Sequence, residues 1–289
     1  MSSTRRTFLS LVGAAVVAGC TKQVAGTPGS TPHGNEPKLD IDGPVRIGLA
    51  EYRPYAYADD DGEVTGQVPE IAKAVLKKLG VTDVKPVLLP FDTLVSTLDS
   101  AEVDLVGGLG VNQNRCEQVD WSVPDHVVYT ALAVPAGNPK GLKTFAEVIS
   151  SGARLGVAEA TQEATIAREA GVPSENLVEL PDPVMMMHAL ALGDLDCAAF
   201  DDVSLRDLVT TESDGADLEV LRGFTTDGTP PWIFAFAFRT GDDRLREPFD
   251  TALTELHDSG EWLEIAEKFE FVERNLPEAD TSVDEACGR

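Results

Sequence analysis

The sequence predicts an α/β fold in which two units of alternating strands and helices follow one another along the chain. Short apolar segments with the composition of buried strands alternate with segments whose apolar residues recur at helical spacing. A second series of the same kind begins after the turn-rich segment 135–139. Because strand–helix–strand order requires crossover connections, each unit is expected to hold a parallel sheet with helices on its faces.

The first unit is predicted to contain three strands and two helices. Segments 45–50, 84–89 and 103–109 are short and mostly apolar, as interior strands are. After the first strand, apolar residues recur at helical spacing until Gly80, and glycine commonly follows the last turn of a helix. The apolar residues of segment 94–98 mark a second helix before the third strand.

The second unit repeats this order and has recognisable helix starts. Thr144 and the glutamate three residues later form a capping-box pattern, which is typical of a helix N-terminus. Segment 155–158 is a predicted strand, and Thr161 can cap the helix that follows it. Asp182 and the proline after it predict another helix start, and segment 196–200 is the next strand.

Beyond the second unit, the sequence predicts one more strand over residues 233–238 and then two helices. The second helix opens at Ser259 and Gly260 and carries Trp262 among its apolar residues. Residues 277–289 are polar and are predicted to form a flexible tail.

The composition is strongly acidic. The chain has 289 residues with 23 Lys and Arg against 49 Asp and Glu, so its formal net charge is 23 − 49 = −26. Binding to a nucleic-acid backbone or to an anionic lipid surface needs an excess of Lys and Arg, which excludes both functions for the folded body. A hydrophobic content of 43% still supports a packed core. The acidity fits either general solubility or a salt-adapted source, and the sequence leaves that choice open.

Residues 1–19 have the pattern of an export signal. Arg5 and Arg6 precede an apolar segment of about twelve residues, which is too short to span about 30 Å of hydrocarbon. The paired arginines resemble a twin-arginine signal, and the residues that end at Cys20 resemble a lipobox, in which the cysteine is lipidated. We therefore expect export, anchoring by lipid at Cys20 to the outer face of the cytoplasmic membrane, and a flexible tether over residues 20–42. The exported part would carry a net charge of 21 − 49 = −28.

Three further cysteines follow the proposed lipidation site. Cys197 lies in an apolar predicted strand, where a buried thiol is the expected state. Cys116 and Cys287 could form a bridge that holds the tail, and the sequence leaves this open. No pair has the CxxC spacing of a zinc or redox site.

The sequence contains no motif for catalysis or cofactor binding. The patterns GxSxG, HExxH, the P-loop and a complete GxGxxG are absent. The four histidines stand at no metal-ligand spacing: His33, His126, His188 and His257. The sequence therefore predicts a protein that is not an enzyme and that holds neither a metal nor a cofactor.

From residue 43 to residue 271 the chain resembles the periplasmic solute-binding proteins of ABC importers, in the polar amino acid family (family 3). The resemblance depends on the order and spacing of segments 48–55, 61–66, 90–94, 103–115, 120–122, 156–157, 193–196 together with Asp201, and 259–262. It implies a two-lobed fold of type II, in which two crossover strands join the lobes and the ligand binds between them. The implied lobe 1 comprises residues 43–129 and 229–276, and the implied lobe 2 comprises residues 130–228.

The resemblance also implies four principal ligand contacts. Arg115 matches the arginine that binds the ligand carboxylate, and the guanidinium fork suits that group. Asp201 matches the acidic residue that binds the ammonium group, and Tyr52 and Phe91 match the aromatic residues on either side of the ligand. Each residue has a structural alternative: a surface salt bridge for Arg115, a helix cap for Asp201, and packing for the two rings.

A second set of residues completes the implied site. It consists of Gly108, Gly110, Asn112, Thr161, Glu51, Tyr55 and Phe200. Gly110 stands where the family often has Thr or Ser, so Asn112 is expected to donate instead. Thr161, at a helix N-terminus, is a suitable carboxylate donor. Glu51 and Phe200 are expected to set side-chain selectivity.

Two ligand classes remain open within this family. The main expectation is a small zwitterion, an amino acid, that a monomeric protein delivers to an importer permease. Segments 115–119 and 137–142 resemble the ectoine and hydroxyectoine branch instead, although that branch has an acidic residue near Tyr52 and Glu51 is one position off. A dehydratase on the same fold is the alternative from another class, whereas a sensor is disfavoured because the sequence has no spanning helix or cytoplasmic domain.

Overall fold

The computed structural model describes residues 43–289 except 214–215, 222–223 and 225–229. The predicted export signal, Cys20 and the tether therefore lie outside the described residues. Within the described ranges, no helix combines the length and the apolar character needed to cross a bilayer.

Strands and helices alternate through most of the chain. The strands are β1 (Val45–Leu49), β2 (Tyr57–Ala58), β3 (Val64–Thr65), β4 (Val84–Leu88), β5 (Leu105–Gly110), β6 (Asp120–Val128), β7 (Thr130–Pro135), β8 (Leu155–Ala158), β9 (Leu177–Leu180), β10 (Cys197–Asp201), β11 (Leu218–Val220) and β12 (Trp232–Phe238). The helices are α1 (Gln67–Lys78), α2 (Leu94–Asp99), α3 (Gln113–Cys116), α4 (Phe145–Ser151), α5 (Gln162–Glu169), α6 (Pro183–Ala191), α7 (Asp202–Thr211), α8 (Asp243–Ser259), α9 (Glu261–Ala266) and α10 (Val283–Ala286). Short 3₁₀ turns cover Phe91–Thr93, Glu267–Phe269 and Glu273–Asn275.

The first sheet has the strand order β4-β1-β5-β12-β6. Strand β1 runs parallel to β4 and β5, as the sequence predicts, but β12 is antiparallel to both β5 and β6. The parallel sheet predicted for the first unit is thus confirmed for β1, β4 and β5, and β12 adds an antiparallel strand whose direction the sequence left open. The reason is that β12 enters the sheet after the chain has passed through the second sheet, so no local strand–helix–strand crossover sets its direction.

The second sheet has the strand order β11-β7-β10-β8-β9. Strands β8, β9 and β10 are parallel, whereas β7 is antiparallel to β10 and to β11. Only Tyr129 separates β6 of the first sheet from β7 of the second. The chain thus crosses from one sheet to the other at Tyr129 and returns between β11 and β12.

Both faces of each sheet are buried. In the second sheet, Leu132 and Leu155 belong to one apolar cluster, while Ala133 and Ala198 belong to the cluster on the opposite face. In the first sheet, Leu105 belongs to one apolar cluster and Val106 belongs to the cluster on the opposite face. Successive strand residues point to opposite faces, so a sheet covered on both sides needs strands that are apolar throughout. This explains the continuous apolar segments of the sequence.

A buried polar network joins the two halves of the molecule where the chain crosses between the sheets. The carboxylate of Asp202, at the start of α7, accepts hydrogen bonds from the Tyr129 N–H at 3.0 Å and from Arg206 Nη1 at 3.0 Å. Arg206 also donates to the Glu270 carbonyl oxygen at 2.6 Å and to Asn275 Oδ1 at 2.9 Å. Both Asp202 and Asn275 are buried. Arg206 therefore ties the second sheet to the segment that packs behind the first.

We expect Arg206→Ala to lower the free energy of unfolding by about 3 kcal/mol, because it leaves the buried Asp202 without its cation. Arg168→Ala is the matched control, since its ion pair with Glu179 is between side chains that are 50% and 37% exposed. That pair is worth less than about 1 kcal/mol. Urea unfolding of the two variants measures the difference, and equal losses would contradict the role of Arg206.

The C-terminal tail differs from its prediction. The sequence predicts a flexible segment over residues 277–289, whereas the structure places α10 within it and bonds Cys287 to Cys116, with the two Cα atoms 5.9 Å apart. Cys287 and Val283 pack against the apolar cluster behind β5. The disulfide that the sequence left open is thus formed. Cys197 is the free, buried cysteine that the sequence predicts.

Candidate ligand-binding site

A cleft of about 650 Å³ lies between the two sheets. It opens where β1, β5 and β10 end, and its lining includes their last residues, Leu49, Gly110 and Asp201. In open α/β sheets, ligands bind in the crevice beyond the carboxyl ends of the strands. The cleft therefore occupies the position where this architecture places a ligand.

The structure brings all eleven residues predicted to bind the ligand to the lining of this one cleft. They are Arg115, Asp201, Tyr52, Phe91, Gly108, Gly110, Asn112, Thr161, Glu51, Tyr55 and Phe200. Six of them lie in segment 51–110, two lie in segment 112–115, and three lie in segment 161–201. Both halves of the molecule thus contribute side chains to the same cavity.

Arg115 supplies the positive charge of the cleft. The short helix α3 begins at Asn112, whose side-chain oxygen accepts a hydrogen bond from the Arg115 N–H at 3.1 Å. The guanidinium donates from Nη1 to the Gly110 carbonyl oxygen at 2.7 Å, and its central carbon lies 5.1 Å from the centre of the Phe91 ring. Burial lowers the pKa of Arg115. Among the residues that the structure describes, no carboxylate lies within 4.0 Å of the guanidinium, so the alternative of a surface salt bridge is not what the structure shows.

Asp201 lies on the opposite wall of the cleft and has two partners. Its Oδ1 accepts a hydrogen bond from the Ser204 N–H at 2.8 Å, which caps α7, and another from the Tyr55 hydroxyl at 2.7 Å. Burial raises the pKa of Asp201, although both hydrogen bonds favour its ionised form. Asp201 therefore caps α7, as the structural alternative predicts, and it also lies on the cleft wall. The bond from Tyr55 also joins the two halves of the molecule across the cleft.

Aromatic rings line much of the remaining wall. Phe91, Tyr52 and Trp232 are 53%, 41% and 40% exposed, so three large rings of the lining remain accessible to a ligand. Tyr55 stacks on Tyr52 with ring centres 5.8 Å apart and on Phe234 with ring centres 6.0 Å apart. The faces of such rings attract a cation as well as an apolar stem.

Trp232 and Phe234 also line the cleft, and neither was predicted from the sequence as a site residue. Both lie on β12, and alternate strand residues share a face, so the spacing of the two aromatic residues was an available signal. The spacing alone does not assign the two rings to the site, because that also requires knowing that β12 lies next to β5 and so beside the cleft.

Glu163 is a further cleft residue that was not predicted from the sequence. It is the second residue of α5, it lines the cleft, and only 8% of its surface is exposed. Its Oε1 accepts a hydrogen bond from the Thr130 hydroxyl at 3.3 Å. Burial, assisted by the negative charge of Asp201, raises the pKa of Glu163 to about 7. The cleft therefore holds a buried carboxyl group, that of Glu163, near Asp201.

Comparison with known protein families identifies the chain. The model of the bacterial extracellular solute-binding proteins, family 3, matches residues 45–273. The chain belongs to this family. The resemblance seen in the sequence is thereby confirmed, and with it the expectation of a solute-binding protein.

Relatives of this family 3 protein include proteins named for amino-acid transport or amino-acid binding. A "probable amino-acid ABC transporter periplasmic-binding protein" of Sinorhizobium fredii is 27% identical over 228 residues, which cover 77% of this chain and 75% of that protein. The L-cystine-binding protein of Escherichia coli is 24% identical over 268 residues, which cover 92% of this chain and 95% of that protein. This family 3 protein is thus placed among the extracytoplasmic solute-binding proteins of ABC importers.

Solved structures agree with the predicted two-lobed fold of type II. The complex of EhuB with hydroxyectoine has a TM-score of 0.61 and 31% sequence identity, and the similarity covers 85% of this chain and 94% of that one. The unliganded, open L-cystine receptor of Neisseria gonorrhoeae has a TM-score of 0.69 and 21% identity over 83% of this chain and 98% of that one. The second similarity shows the fold alone.

Thr161 has a structural task in this family 3 protein that its prediction as a carboxylate donor did not include. Its oxygen accepts a hydrogen bond from the Ala164 N–H at 3.4 Å, and its hydroxyl donates to the Ala158 carbonyl oxygen at 2.8 Å. The hydroxyl proton is therefore already used within α5 and the strand before it.

Metal-ligating side chains do not cluster in the described part of the molecule, where no group of three or more His, Cys, Asp or Glu residues could hold an ion.

At the cleft itself, Gly108 has φ = +71°, a conformation that favours glycine, and this brings the backbone of β5 to the cavity wall without a side chain. The chemistry available there consists of charge pairing, hydrogen bonding and aromatic contact.

Proposed function

We propose that the protein captures a small zwitterionic amino acid outside the cytoplasm and delivers it to the permease of an ABC importer. The observation that carries this proposal is the pairing of Arg115, a guanidinium without a carboxylate partner among the described residues, with Asp201 on the opposite wall of the same cleft. The first suits a carboxylate and the second an ammonium group. The amino-acid importers among the relatives support the same ligand class.

Capture is proposed to occur by closure of two lobes, lobe 1 with residues 43–129 and 229–276 and lobe 2 with residues 130–228. Arg115 and Asp201 would then approach the ligand from different lobes, so that the ligand itself bridges them. Closure excludes water, and the lower dielectric constant strengthens both charge pairs. The crossing at Tyr129 and the network around Arg206 would then lie at the hinge of this motion.

Ectoine or hydroxyectoine is the second candidate ligand. These molecules also carry a carboxylate beside a cationic centre, and the exposed rings of Tyr52, Phe91 and Trp232 would suit that centre. The complex of EhuB with hydroxyectoine, 31% identical to this chain, supports this candidate.

The location is proposed from the sequence alone. Cys20, lipidated after removal of residues 1–19, would hold the protein at the outer face of the cytoplasmic membrane, and residues 20–42 would serve as the tether. The net charge of the exported part would repel an anionic surface, so the attachment would depend on the lipid. We propose that the protein acts as a monomer and that its partners are the ligand and the permease.

A thermal-shift screen tests the function. We expect one or more amino acids, or ectoine or hydroxyectoine, to raise the melting temperature, because a ligand at 1,000 times its Kd stabilises the folded state by about 4.1 kcal/mol. Molecules with only one of the two charged groups, such as acetate and methylamine, serve as controls and should have no effect. The screen is run at low and high salt, and the absence of a shift with every zwitterion at both would contradict the proposal.

The same incubation separates binding from catalysis. A binding protein returns its ligand unchanged, whereas a dehydratase on this fold would return a product. Mass spectrometry of the ligand after prolonged incubation therefore distinguishes the two classes.

A further inference from the structure

Glu163 has no part in the function proposed above, although it faces the same cleft. Its carboxyl group lies on the wall formed by α5, and its Oε1 accepts a hydrogen bond from the Thr130 hydroxyl at 3.3 Å. Among the described residues, no Lys, Arg or His side chain lies within 4.0 Å of it. Burying an ionised carboxyl group without a cation raises the free energy of the folded state unless another group supplies the positive charge.

The charges that line the cleft do not balance. Its titratable side chains are Glu51, Tyr52, Tyr55, Arg115, Tyr129, Glu163 and Asp201. One guanidinium therefore faces three carboxyl groups, which gives 1 − 3 = −2 when all are ionised. A neutral amino acid pairs with Arg115 and Asp201 and leaves this excess unchanged.

We propose that Glu163 is a second ligand-selecting carboxylate and that the preferred ligand carries a net positive charge. This rests on the proposed function, since it assumes that Arg115 and Asp201 bind the carboxylate and the ammonium group. A second cationic group on the ligand would then reach Glu163 on the wall of α5. The exposed aromatic rings of the cleft favour the same kind of group.

A purely structural explanation of Glu163 makes a different prediction. Acidic residues in the first turn of a helix interact favourably with its N-terminal N–H groups, and Glu163 is the second residue of α5. In that case its removal would change stability but would leave selectivity among ligands unchanged. Selectivity is therefore the property to measure.

The proposal also has a pH signature. Burial and the nearby Asp201 of β10 raise the pKa of Glu163 to about 7, while its own backbone N–H and the hydroxyl groups of Thr130 of β7 and of Thr161 before α5 favour the ionised form. Tyr52, on the facing wall, is the other titratable group that interacts with it. A cationic ligand binds the ionised carboxylate, so its affinity should rise as the pH rises through 7. A neutral ligand should show no such gain.

The test is calorimetric titration of the full-length protein with L-arginine and L-citrulline, which have nearly the same shape but differ by one positive charge. We expect the wild type to prefer arginine by about tenfold or more at pH 8, and we expect this preference to fall by about tenfold at pH 5.5, where a carboxyl group with a pKa near 7 is mostly protonated. Glu163→Gln should lose the preference and its pH dependence. Glu159→Gln removes the same charge from an exposed residue outside the cleft and should behave as the wild type.

The outcomes separate the two proposals. If the wild type binds both molecules equally, if its preference does not change with pH, or if Glu163→Gln retains it, the inference on Glu163 is wrong while the proposed function stands. If the wild type binds no zwitterion in the thermal-shift screen, the proposed function fails as well. The pH series on the wild type needs no variant, so it decides the matter even if Glu163→Gln does not fold.

Discussion

Replacing Arg115 by alanine is expected to lower ligand affinity by about two to four orders of magnitude. The loss of a cation leaves the ligand carboxylate buried and unpaired, which costs about 3–5 kcal/mol. Arg115→Lys should recover only part of the loss, because an ammonium group keeps the charge but not the two-pronged geometry. Isothermal titration calorimetry, with the ligand found in the thermal-shift screen, measures both variants.

The matched control for this experiment is Arg46→Ala. Arg46 pairs with Asp104 at 2.8 Å and does not line the cleft, so the variant should keep the affinity of the wild type. Undiminished binding by Arg115→Ala would show that the ligand carboxylate does not bind at Arg115, and the assignment of the site would be wrong.

The second large effect is expected from the disulfide. The bond between Cys116 and Cys287 joins residues 171 positions apart, and a loop of that length constrains the unfolded chain strongly. Replacing both cysteines by serine should lower the free energy of unfolding by about 3–5 kcal/mol. Because Cys116 directly follows Arg115 in α3, we also expect weaker ligand binding.

Urea unfolding with and without a reductant measures this effect. The wild type should lose stability in the reductant, whereas the double serine variant should not respond to it. Cys197→Ala is the control, since the thiol of Cys197 is free and its replacement should leave the response to the reductant intact. If the urea midpoint of the wild type is the same with and without the reductant, the bond has no stabilising role.

Much of the fold can be predicted from local signals. Thr144, Thr161 and Asp182 each cap the helix that the sequence assigns to them, because their side-chain oxygens bind N–H groups in the first turn. The apolar strands are equally clear, since both faces of each sheet are buried. The direction of β12 was not predictable in this way, because it depends on contacts between distant parts of the chain.

The residues of the candidate site likewise divide into those that the sequence predicts and those that only the folded structure reveals. Arg115 and Asp201 follow strands within recognisable segments, so the resemblance to the family located them. Glu163 stands in no such pattern, and its significance comes from its burial beside Asp201, which only the folded chain reveals. Trp232 resembles any other strand residue until β12 is placed beside β5. The sequence left the bond between Cys116 and Cys287 undecided for a similar reason, because its formation depends on which parts of the chain lie side by side in the folded protein.

The position of β12 also gives assembly of the molecule an order. All strands of the second sheet come from one continuous stretch, from β7 to β11, and can pair as soon as that stretch exists. The first sheet lacks the strand between β5 and β6 until the chain has been made as far as Phe238. Pairings between residues so far apart in sequence form slowly. A nascent chain that stops short of Trp232 therefore carries one sheet that can be complete and another with two unpaired inner edges, which are the features that promote aggregation of folding intermediates.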